Sequence, residues 1–375
     1  MLSFQLNTEL LAKNQALENA FLDVYSELKQ LDAEELQSIK HYARISNIGA
    51  STRIENALLT DSEINWLDTI LTQDGRTTAF AHQKTLIENK LSKDRERSIE
   101  EVAGCRQMLM LIHENAEAFL PLRESDIRAL HYQLMAPYQK QTEYIGTYKI
   151  QSNSVVEHNH HTQESRVIFQ TADAGPITSV AMSDLVAWYN KTHPLESRST
   201  LFAAEFVYRF LAIHPFQDGN GRLGRGLMML ALLQSPQFAM SSVAACLAID
   251  RQIEKHKEEY YFVLNQCSKG RFSPDPKKYD IEHFAHFMIK IIHKSLEDIT
   301  LYRSKYKALH TLSETALQIF NCFKDYPEKR LTNKLICEET KLPRRTIAYS
   351  LGTLVAAQLI QRHGLGAGAR YQITF

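Results

Sequence analysis

Residues 214–225 read HPFQDGNGRLGR, and the rest of the chain can be interpreted outward from this stretch. It lies between two apolar runs, Leu201 to Ile213 and Gly226 to Leu233, and Pro236 ends the second run. The first run is apolar on nearly every face, as expected for a helix buried in the centre of a domain. The sequence therefore predicts a loop that leads from one core helix into the N-terminus of another.

The start of the second helix is a predicted anion site. A helix N-terminus presents unpaired backbone N–H groups and the positive end of a dipole. Gly219 and Gly221 allow the positive φ and the close backbone approach that a phosphate cradle requires. Arg222 and Arg225 lie three residues apart on one helix face, where they can bind neighbouring phosphates. The side chain of Asn220 can donate to a phosphate oxygen.

Two further side chains of this stretch add chemistry to the predicted cradle. His214 titrates near neutral pH and is suited to accept a proton from a hydroxyl group. Asp218 is a hard oxygen ligand, suited to one Mg²⁺ ion that bridges phosphates. The alternative is a buried histidine, a C-capping glycine and two surface arginines. A P-loop is the rival solution for phosphate binding, but no G-x-x-x-x-G-K-[ST] pattern occurs in the sequence.

The stretch resembles the signature of the Fic family, H-x-F-x-[DE]-G-N-G-R-x-x-R, and matches it at every specified position. The resemblance implies a mainly α fold, a Fic-type helical bundle, that uses ATP and Mg²⁺ to transfer AMP to a hydroxyl side chain of a target protein. His214 is then the catalytic base and Asp218 the metal ligand. In the Doc branch, which phosphorylates, Lys stands at the position of Gly221, so glycine favours nucleotidyl transfer. The implied nucleotide-binding residues are Gly219, Asn220, Gly221, Arg222, Leu223, Gly224, Arg225, Lys255, His256, Tyr260 and Tyr261.

Residues 51–56, STRIEN, support two interpretations. In the simpler one, Ser51 or Thr52 caps a short helix and Glu55 completes a capping box. The six residues also resemble the Fic inhibitory motif, [ST]-x-x-x-E-[GN]. In the family, the motif's Glu pairs with the second signature arginine, here Arg225, and keeps the γ-phosphate of ATP from docking. Because the motif precedes the signature, the chain resembles the family's second class, with Glu55 as the inhibitory residue.

Residues 138–177 carry the pattern of a β-hairpin. The runs 146–151 and 166–171 are β-branched and aromatic and flank a polar loop. In the Fic family a hairpin here is a flap that binds the target protein by main-chain pairing. The loop contains His158, His160 and His161, which we interpret as solvated, because neither Cys nor a spaced carboxylate cluster supports a metal site.

Residues 250–261 predict one helix that ends in the pair Tyr260-Tyr261. In Fic proteins a tyrosine pair here forms a wall of the adenine pocket, and aromatic faces suit stacking on a purine. Packing of the pair against core helices is the alternative. Many family members carry Asn at the position of His256, which leaves the hydrogen bonds to the base open.

Residues 309–375 predict a winged helix-turn-helix domain, which the family often has at this end. Three helical segments precede a hairpin with a glycine-rich tip. From Thr311 onward nine Lys/Arg outnumber five Asp/Glu, an excess suited to DNA phosphates. Protein contact or dimerisation is the alternative use. The predicted segments are 313–323, 333–339 and 343–359 for the helices, and 360–362 and 370–374 for the strands.

Length and composition complete the prediction. With 375 residues the chain is long enough for two or three domains, which we place at 1–97 (N-terminal helices with motif 51–56), 98–300 (Fic catalytic core) and 309–375. The net charge is zero, so no global field directs the chain to nucleic acid or membranes. Five scattered cysteines, no leader-like start and no run long enough for a membrane span favour a cytoplasmic protein with reduced thiols.

The sequence thus predicts a protein adenylyltransferase that is restrained by Glu55 and that binds its target through the flap. DNA at the winged helix and a homodimer are further expectations for its partners. Three alternatives stay open. Glu55 can orient a water for removal of AMP, the donor can be another nucleotide or phosphodiester, or the chain can be a DNA-binding regulator whose Fic site senses a ligand.

Overall fold

The computed structural model of the chain describes residues 1–73, 76–77, 80–91, 95–138, 142–158, 165–324, 326 and 328–374. Helices form most of it, and the described strands form three small antiparallel sheets. The prediction of a mainly α fold is confirmed. The helices are α1 (Thr8–Leu28), α2 (Ala33–Ile54), α3 (Asp61–Leu71), α4 (Phe80–Lys90), α5 (Glu96–Asn115), α6 (Glu124–Met135), α7 (Pro176–Thr192), α8 (Ser199–Ile213), α9 (Asn220–Leu233), α10 (Phe238–Ala244), α11 (Ile249–Lys255), α12 (Lys257–Gln266), α13 (Glu282–His310), α14 (Glu314–Lys324), α15 (Asn333–Thr340) and α16 (Arg344–Ala356). The strands are β1 (Thr72–Gln73), β2 (Arg76–Thr77), β3 (Ser154–His158), β4 (Ser165–Gln170), β5 (Leu331–Thr332), β6 (Ile360–His363) and β7 (Arg370–Ile373).

Helix α8 lies at the centre of the larger hydrophobic cluster, which extends from Leu10 to Tyr302. Every residue of α8 except Leu211 is buried, as its apolar sequence predicts. Helix α9 packs closely on α8 because Gly224 has no side chain, and a Cβ there would lie 2.8 Å from Leu211 Cδ2. The loop between the two helices is therefore held on both sides by buried elements.

Helix α2 continues through residues 48–50 and ends at Ile54, so the interpretation of Ser51 or Thr52 as the cap of a new helix is wrong. Glu55 follows the helix as its C-cap residue. At Gly49 neighbouring side chains come close to the helix backbone, and a Cβ there would lie 2.2 Å from Asp61 Oδ1. Ser51 and Glu55 therefore both lie at the C-terminal end of α2, one turn apart.

The predicted hairpin is present, but its first strand is β3, and the prediction of a strand at 146–151 is wrong. Gly146 has a φ of 68°, and the backbone N–H of Lys149 donates to the Pro215 carbonyl at 2.8 Å instead of pairing in a sheet. Strands β3 and β4 are antiparallel, with a register shift between Val155 and Val156. The side chain of His158 and all of His160 and His161 lie outside the described residues.

Residues 250–261 form two helices, not the single one predicted. Helix α11 ends at Lys255 and α12 begins at Lys257. Between them His256 leaves helical geometry (φ −121°, ψ 33°), and its Nδ1 contacts the Gln252 carbonyl at 2.8 Å. Tyr260 and Tyr261 therefore both lie on α12.

A second hydrophobic cluster extends from Ile319 to Tyr371 and is separate from the first. It contains α14, α15 and α16, and the sheet order β5-β7-β6 places β7 in the middle. The order of three helices and a hairpin is the one the sequence predicts, whereas the assignment to the winged helix class and the three domain boundaries stay predictions. Over the described ranges, each helix is too short or too polar to cross a lipid bilayer.

Candidate active site

The loop between α8 and α9 has two left-handed residues that determine its course. His214 ends α8 with a φ of 53°, and its N–H donates to the Phe210 carbonyl at 2.9 Å. Gly219 precedes α9 with a φ of 79°, a conformation that glycine adopts without strain. The side chain of Asn220 bonds both backbone groups of Phe216, at 2.9 and 2.7 Å. The Asn220 amide thus closes the loop through its oxygen and one of its two N–H groups, and its donation to a phosphate stays a prediction.

The His214 imidazole borders a cavity and is set up as a proton acceptor. Its Nδ1 lies 3.3 Å from the Leu211 carbonyl, and we assign the proton to this nitrogen, which leaves Nε2 as the acceptor. Burial and the cation of Lys149 lower the pKa of His214 to about 4, against the opposite effects of the Leu211 hydrogen bond, Glu55 and Asp218. The imidazole is therefore neutral at pH 7.

Asp218 and Arg222 form a partly solvated pair at the start of α9. Arg222 Nη2 donates to Asp218 Oδ1 at 3.3 Å, and Arg222 Nη1 donates to the hydroxyl of Tyr138. Arg222 is buried, whereas the Asp218 side chain is 41% exposed. Arg222 Nε is buried without a hydrogen-bond acceptor in the described part of the chain. An unsatisfied buried donor beside the loop is suited to an added anion.

Arg225 is bound by the C-terminal turn of α2. Its Nη2 donates to Glu55 Oε1 at 3.0 Å and to the Ser51 carbonyl at 2.8 Å, and its Nε donates to Ser51 Oγ at 3.0 Å. Asp250 Oδ2 lies 3.8 Å from Arg225 Nε, and burial raises the pKa of this carboxyl group to about 6 although Arg225 and Ser51 act in the opposite direction. The contact between Glu55 and Arg225 that the sequence predicts is present.

Glu55, His214 and Arg225 all line one cavity of about 120 Å³. Ligand pockets for small molecules are usually roughly 300–1,000 Å³, so the cavity is narrow for a nucleotide. The Glu55 carboxylate takes up part of the cavity next to Gly221. A Cβ at Gly221 would lie only 2.6 Å from Glu55 Oε1. The other walls come from α8, α9, α12 and the hairpin, and include Val155, Phe169, Tyr208, Leu211, Ala212, Gly221, Tyr260, Tyr261, Leu264 and Asn265.

Seven of the eleven sequence-predicted nucleotide-binding residues do not line this cavity: Gly219, Asn220, Arg222, Leu223, Gly224, Lys255 and His256. Leu223 is fully buried in the hydrophobic cluster, and Gly224 faces Leu211 and Phe210 of α8. Lys255 is exposed, and His256 bonds its own helix at Gln252. The other four predicted residues, Gly221, Arg225, Tyr260 and Tyr261, line the cavity.

Residues far from the signature complete the site and are not predicted from the sequence. His131 of α6 accepts a hydrogen bond at Nδ1 from the Gly146 N–H and donates from Nε2 to the Asp218 carbonyl, both at 3.0 Å. Its ring stacks on Phe216 at a centroid distance of 3.8 Å. Lys149, Asp250 and the phenol of Tyr138 are also brought in by separate elements. Their only signal in the sequence is a polar residue within an apolar pattern, which many other positions share.

Comparison with solved structures first identifies the fold. A crystal structure of a Fic family protein from Desulfovibrio desulfuricans G20 superimposes with a TM-score of 0.56 at 21% identity, covering 100% of this chain and 98% of that one. A Fic domain containing signaling protein from Bacteroides thetaiotaomicron has the same TM-score at 22% identity, covering 76% and 96%. The chain therefore has a Fic fold, as its signature implied.

Sequence comparison then identifies the domain. Residues 121–232 match the Fic/DOC family, so the chain contains a Fic/DOC family domain. Proteins described as Protein adenylyltransferase Fic are similar to part of it: the one from Culex quinquefasciatus is 28% identical over 119 residues, and the one from Drosophila virilis 23% over 228. These regions are 32% and 60% of this chain, but only 20% and 40% of the relatives' lengths.

Proposed function

We propose that this protein is a protein adenylyltransferase that transfers AMP from ATP to a Ser, Thr or Tyr hydroxyl of a target protein, and that Glu55 restrains it. One observation carries the proposal: a neutral His214 and the Arg225 guanidinium border the same cavity, with the Glu55 carboxylate between Arg225 and Gly221. The similarity to adenylyltransferases supports ATP as the nucleotide.

The residues at the start of α9 fit a triphosphate. The unsatisfied Nε of Arg222 is a donor for one phosphate. The α9 N-terminus supplies backbone N–H groups, and Gly221 leaves its side of the cavity open to an anion once the Glu55 carboxylate is elsewhere. Tyr260 and Tyr261 offer aromatic surface for the base. Arg225, the second guanidinium, would take the γ-phosphate.

A magnesium site also fits, with Asp218 as its one protein ligand. No group of three or more His, Cys, Asp or Glu side chains within the described ranges is arranged to hold a metal by itself. Mg²⁺ commonly binds through one or two carboxylates plus substrate phosphates and water, and Asp218 is a partly exposed carboxylate at the cradle. When bound, the ion would neutralise phosphate charge.

The chain's own residues then account for the reaction. Nε2 of His214 takes the proton of the target hydroxyl while that oxygen forms its bond to the α-phosphorus and the bond to the β-phosphate bridging oxygen breaks, releasing pyrophosphate. Arg222 and the α9 N-terminus hold the phosphates in line. The hairpin, whose Val155 and Phe169 line the cavity, presents the target segment by backbone pairing.

Glu55 opposes this arrangement by charge and by occupancy. It takes an Nη2 hydrogen bond of Arg225 and adds a negative charge where the γ-phosphate would bind. Inside a partly desolvated cleft the repulsion between such charges is on the order of a few kcal/mol. Nucleotide can then bind only in a pose unsuited to attack on the α-phosphorus.

The test uses ATP labelled at its α-phosphate and a cell lysate as the source of targets. We expect Glu55→Gly to label at least about tenfold more protein than wild type, because a charge-assisted contact with Arg225 is removed. Glu55→Gln, which keeps the size and removes the charge, should label an intermediate amount. His214→Ala in the Glu55→Gly background should still bind ATP and transfer nothing.

Two results would contradict the proposal. Equal labelling by Glu55→Gly and wild type removes the inhibitory role, and transfer by the His214→Ala variant removes the role as base. Release of AMP from a pre-modified protein by wild type, and not by Glu55→Gly, would instead favour the removal reaction, in which Glu55 orients a water.

A further inference from the structure

Lys149 is a buried cation whose ammonium group is fully hydrogen-bonded to neutral oxygens. Its Nζ donates to Asn153 Oδ1 at 2.9 Å, to Thr171 Oγ1 at 2.9 Å and to the Ile213 carbonyl at 3.1 Å. The residue is 2% exposed. Burying a charge costs free energy unless hydrogen bonds compensate, so three such bonds in one place define a specific site.

The partners of Lys149 belong to the two ends of the hairpin. Asn153 immediately precedes β3 and Thr171 immediately follows β4. The Thr171 hydroxyl, which accepts from Lys149, donates to the Asn153 carbonyl at 2.7 Å. The lysine therefore adds a bond to each end of the hairpin at its base, beside the direct bond between Thr171 and Asn153.

The same residue also holds the loop that carries His214. Ile213, whose carbonyl accepts from Nζ, is the residue before His214, and Pro215, whose carbonyl accepts from the Lys149 N–H, is the residue after it. Asn153 adds a bond from Nδ2 to the Phe216 carbonyl at 3.0 Å. Backbone groups on both sides of the imidazole are thus bound by one short segment at the hairpin base.

We infer that Lys149 is a positioning residue that fixes the base of the hairpin to the loop of His214, so that the target-binding strands and the catalytic base keep one geometry. The inference rests on the proposed function for the roles of the hairpin and of His214. No substrate contact is assigned to Lys149 itself, since its three ammonium protons are all used inside the protein.

The charge of Lys149 has a second effect, on the protonation of His214. Burial lowers the pKa of Lys149 to about 8, so it remains a cation at pH 7. This cation and burial lower the pKa of His214, while Glu55 and Asp218 are the charged groups that raise it. Replacing Lys149 with a neutral side chain should therefore raise the pKa of His214.

The experiment compares Lys149→Met and Lys149→Arg with wild type, without nucleotide or target. The first measurement is an NMR titration of the His214 ring signal, assigned by its loss in His214→Ala. The second is amide hydrogen exchange at Val155 and Phe169, with α13 as the internal reference. Lys149→Met should raise the titration midpoint and speed hairpin exchange about tenfold, while Lys149→Arg should keep a midpoint near that of wild type.

An unchanged His214 midpoint or unchanged hairpin exchange in a folded Lys149→Met protein would overturn the inference, as would an equal rise in midpoint in Lys149→Arg. If Lys149→Met has no cooperative thermal transition, hydrogen exchange is measured on Thr171→Val instead. This variant removes one acceptor of Lys149 Nζ with little change in volume. Faster hairpin exchange in Thr171→Val supports the inference and wild-type exchange overturns it. Neither measurement requires AMP transfer. A failure of the inference about Lys149 can therefore be told apart from a failure of the proposed function.

Discussion

Three histidines, of which His131 is buried and His113 and His214 are half-buried, have their proton affinity set by the fold. Burial lowers the pKa of His113, His131 and His214 to about 4 in each case. The ordinary histidine pKa is about 6.5, so between these two values the unfolded chain binds more protons than the folded one. Folded stability that is present above about pH 6.5 is therefore lost as the pH falls toward 4. Acidification therefore protonates His214 of the candidate site in the same pH range in which it lowers the stability of the fold.

The first prediction concerns this pH dependence. The urea midpoint of unfolding should be lower at pH 5 than at pH 7, with each of the three histidines contributing on the order of 1–2 kcal/mol to the difference. His131→Gln removes one titrating group while an amide can still donate and accept at that position. The variant should show a smaller loss between pH 7 and pH 5 than wild type. An equal loss in both proteins would show that His131 does not titrate in this range.

The residues of the signature illustrate how far sequence interpretation reaches at this scale. The contact of Glu55 with Arg225 and the place of His214 at a cavity are predicted from two short patterns. The hydrogen bonds of the Asn220 side chain to the Phe216 backbone are not predicted, because a pattern specifies a residue type and not the direction of its side chain. Lys149 is not predicted as part of the site either, because its bonds join residues 64 positions apart in sequence.

At the scale of elements, the C-terminal turn of α2 is held in place by neighbouring helices. Lys257 Nζ of α12 donates to the Ile54 carbonyl at 2.6 Å. Arg53 pairs with Glu254 of α11 through two hydrogen bonds, at 2.7 and 3.0 Å, and with Asp61 of α3 at 2.7 Å. A cation at the carbonyl end of a helix is favourable, so Lys257 stabilises the turn that presents Glu55.

The second prediction is that Lys257→Met increases AMP transfer. Loss of the bond to Ile54 should let the end of α2 move from Arg225 in a fraction of molecules, which raises labelling by α-labelled ATP several-fold. The increase should be smaller than that of Glu55→Gly, because Arg53 still anchors the turn. Lys191→Met, on the exposed side of α7, is the matched control and should label as wild type does. No increase in Lys257→Met, or the same increase in both, would contradict this role.

The elements themselves were predictable to differing degrees. Helices α8 and α9 follow from continuous apolar patterns that burial on all sides requires. The continuation of α2 past Gly49 does not follow from local sequence, because the space beside this glycine is filled by Asp61 from another helix. The first hairpin strand was misplaced for a similar reason: residues 146–151 have strand-like composition, but Lys149 bonds a distant loop. Tertiary contacts overrode local preference in both places.

At the scale of the whole molecule, two hydrophobic clusters divide the described chain. The larger one includes residues of α2, of the signature helices and of α13, so the segment with Glu55 and the candidate site are parts of one packed unit. The smaller one, from Ile319 to Tyr371, has its own core. The residues of the proposed transfer reaction and of its proposed restraint by Glu55 therefore all lie in the part of the chain that packs on the larger cluster.

The surface of the smaller cluster is suited to the predicted contact with DNA. Arg344 and Arg345 begin α16 and are exposed, as is Arg362 on β6. Tyr349 is 79% exposed on the outer face of α16. Gly352, on the same helix, has open space beside it, because a Cβ there would have no neighbour within 4 Å. A helix with two exposed arginines at its start and open space beside Gly352 can approach a groove of the duplex.

The last prediction is that this face binds duplex DNA. Fluorescence anisotropy with a labelled random-sequence duplex should show binding that weakens steeply as salt is added, because phosphate contacts release counterions. The double variant Arg344→Ala and Arg345→Ala should weaken binding about tenfold at low salt. The slope of log affinity against log salt concentration should fall by the equivalent of roughly two phosphate contacts. The control replaces two exposed lysines outside this cluster, Lys277 and Lys278, by Ala and should bind as wild type does. An equal loss in both double variants would show general charge attraction, and a wild-type protein that does not bind would leave protein contact as the use of this face.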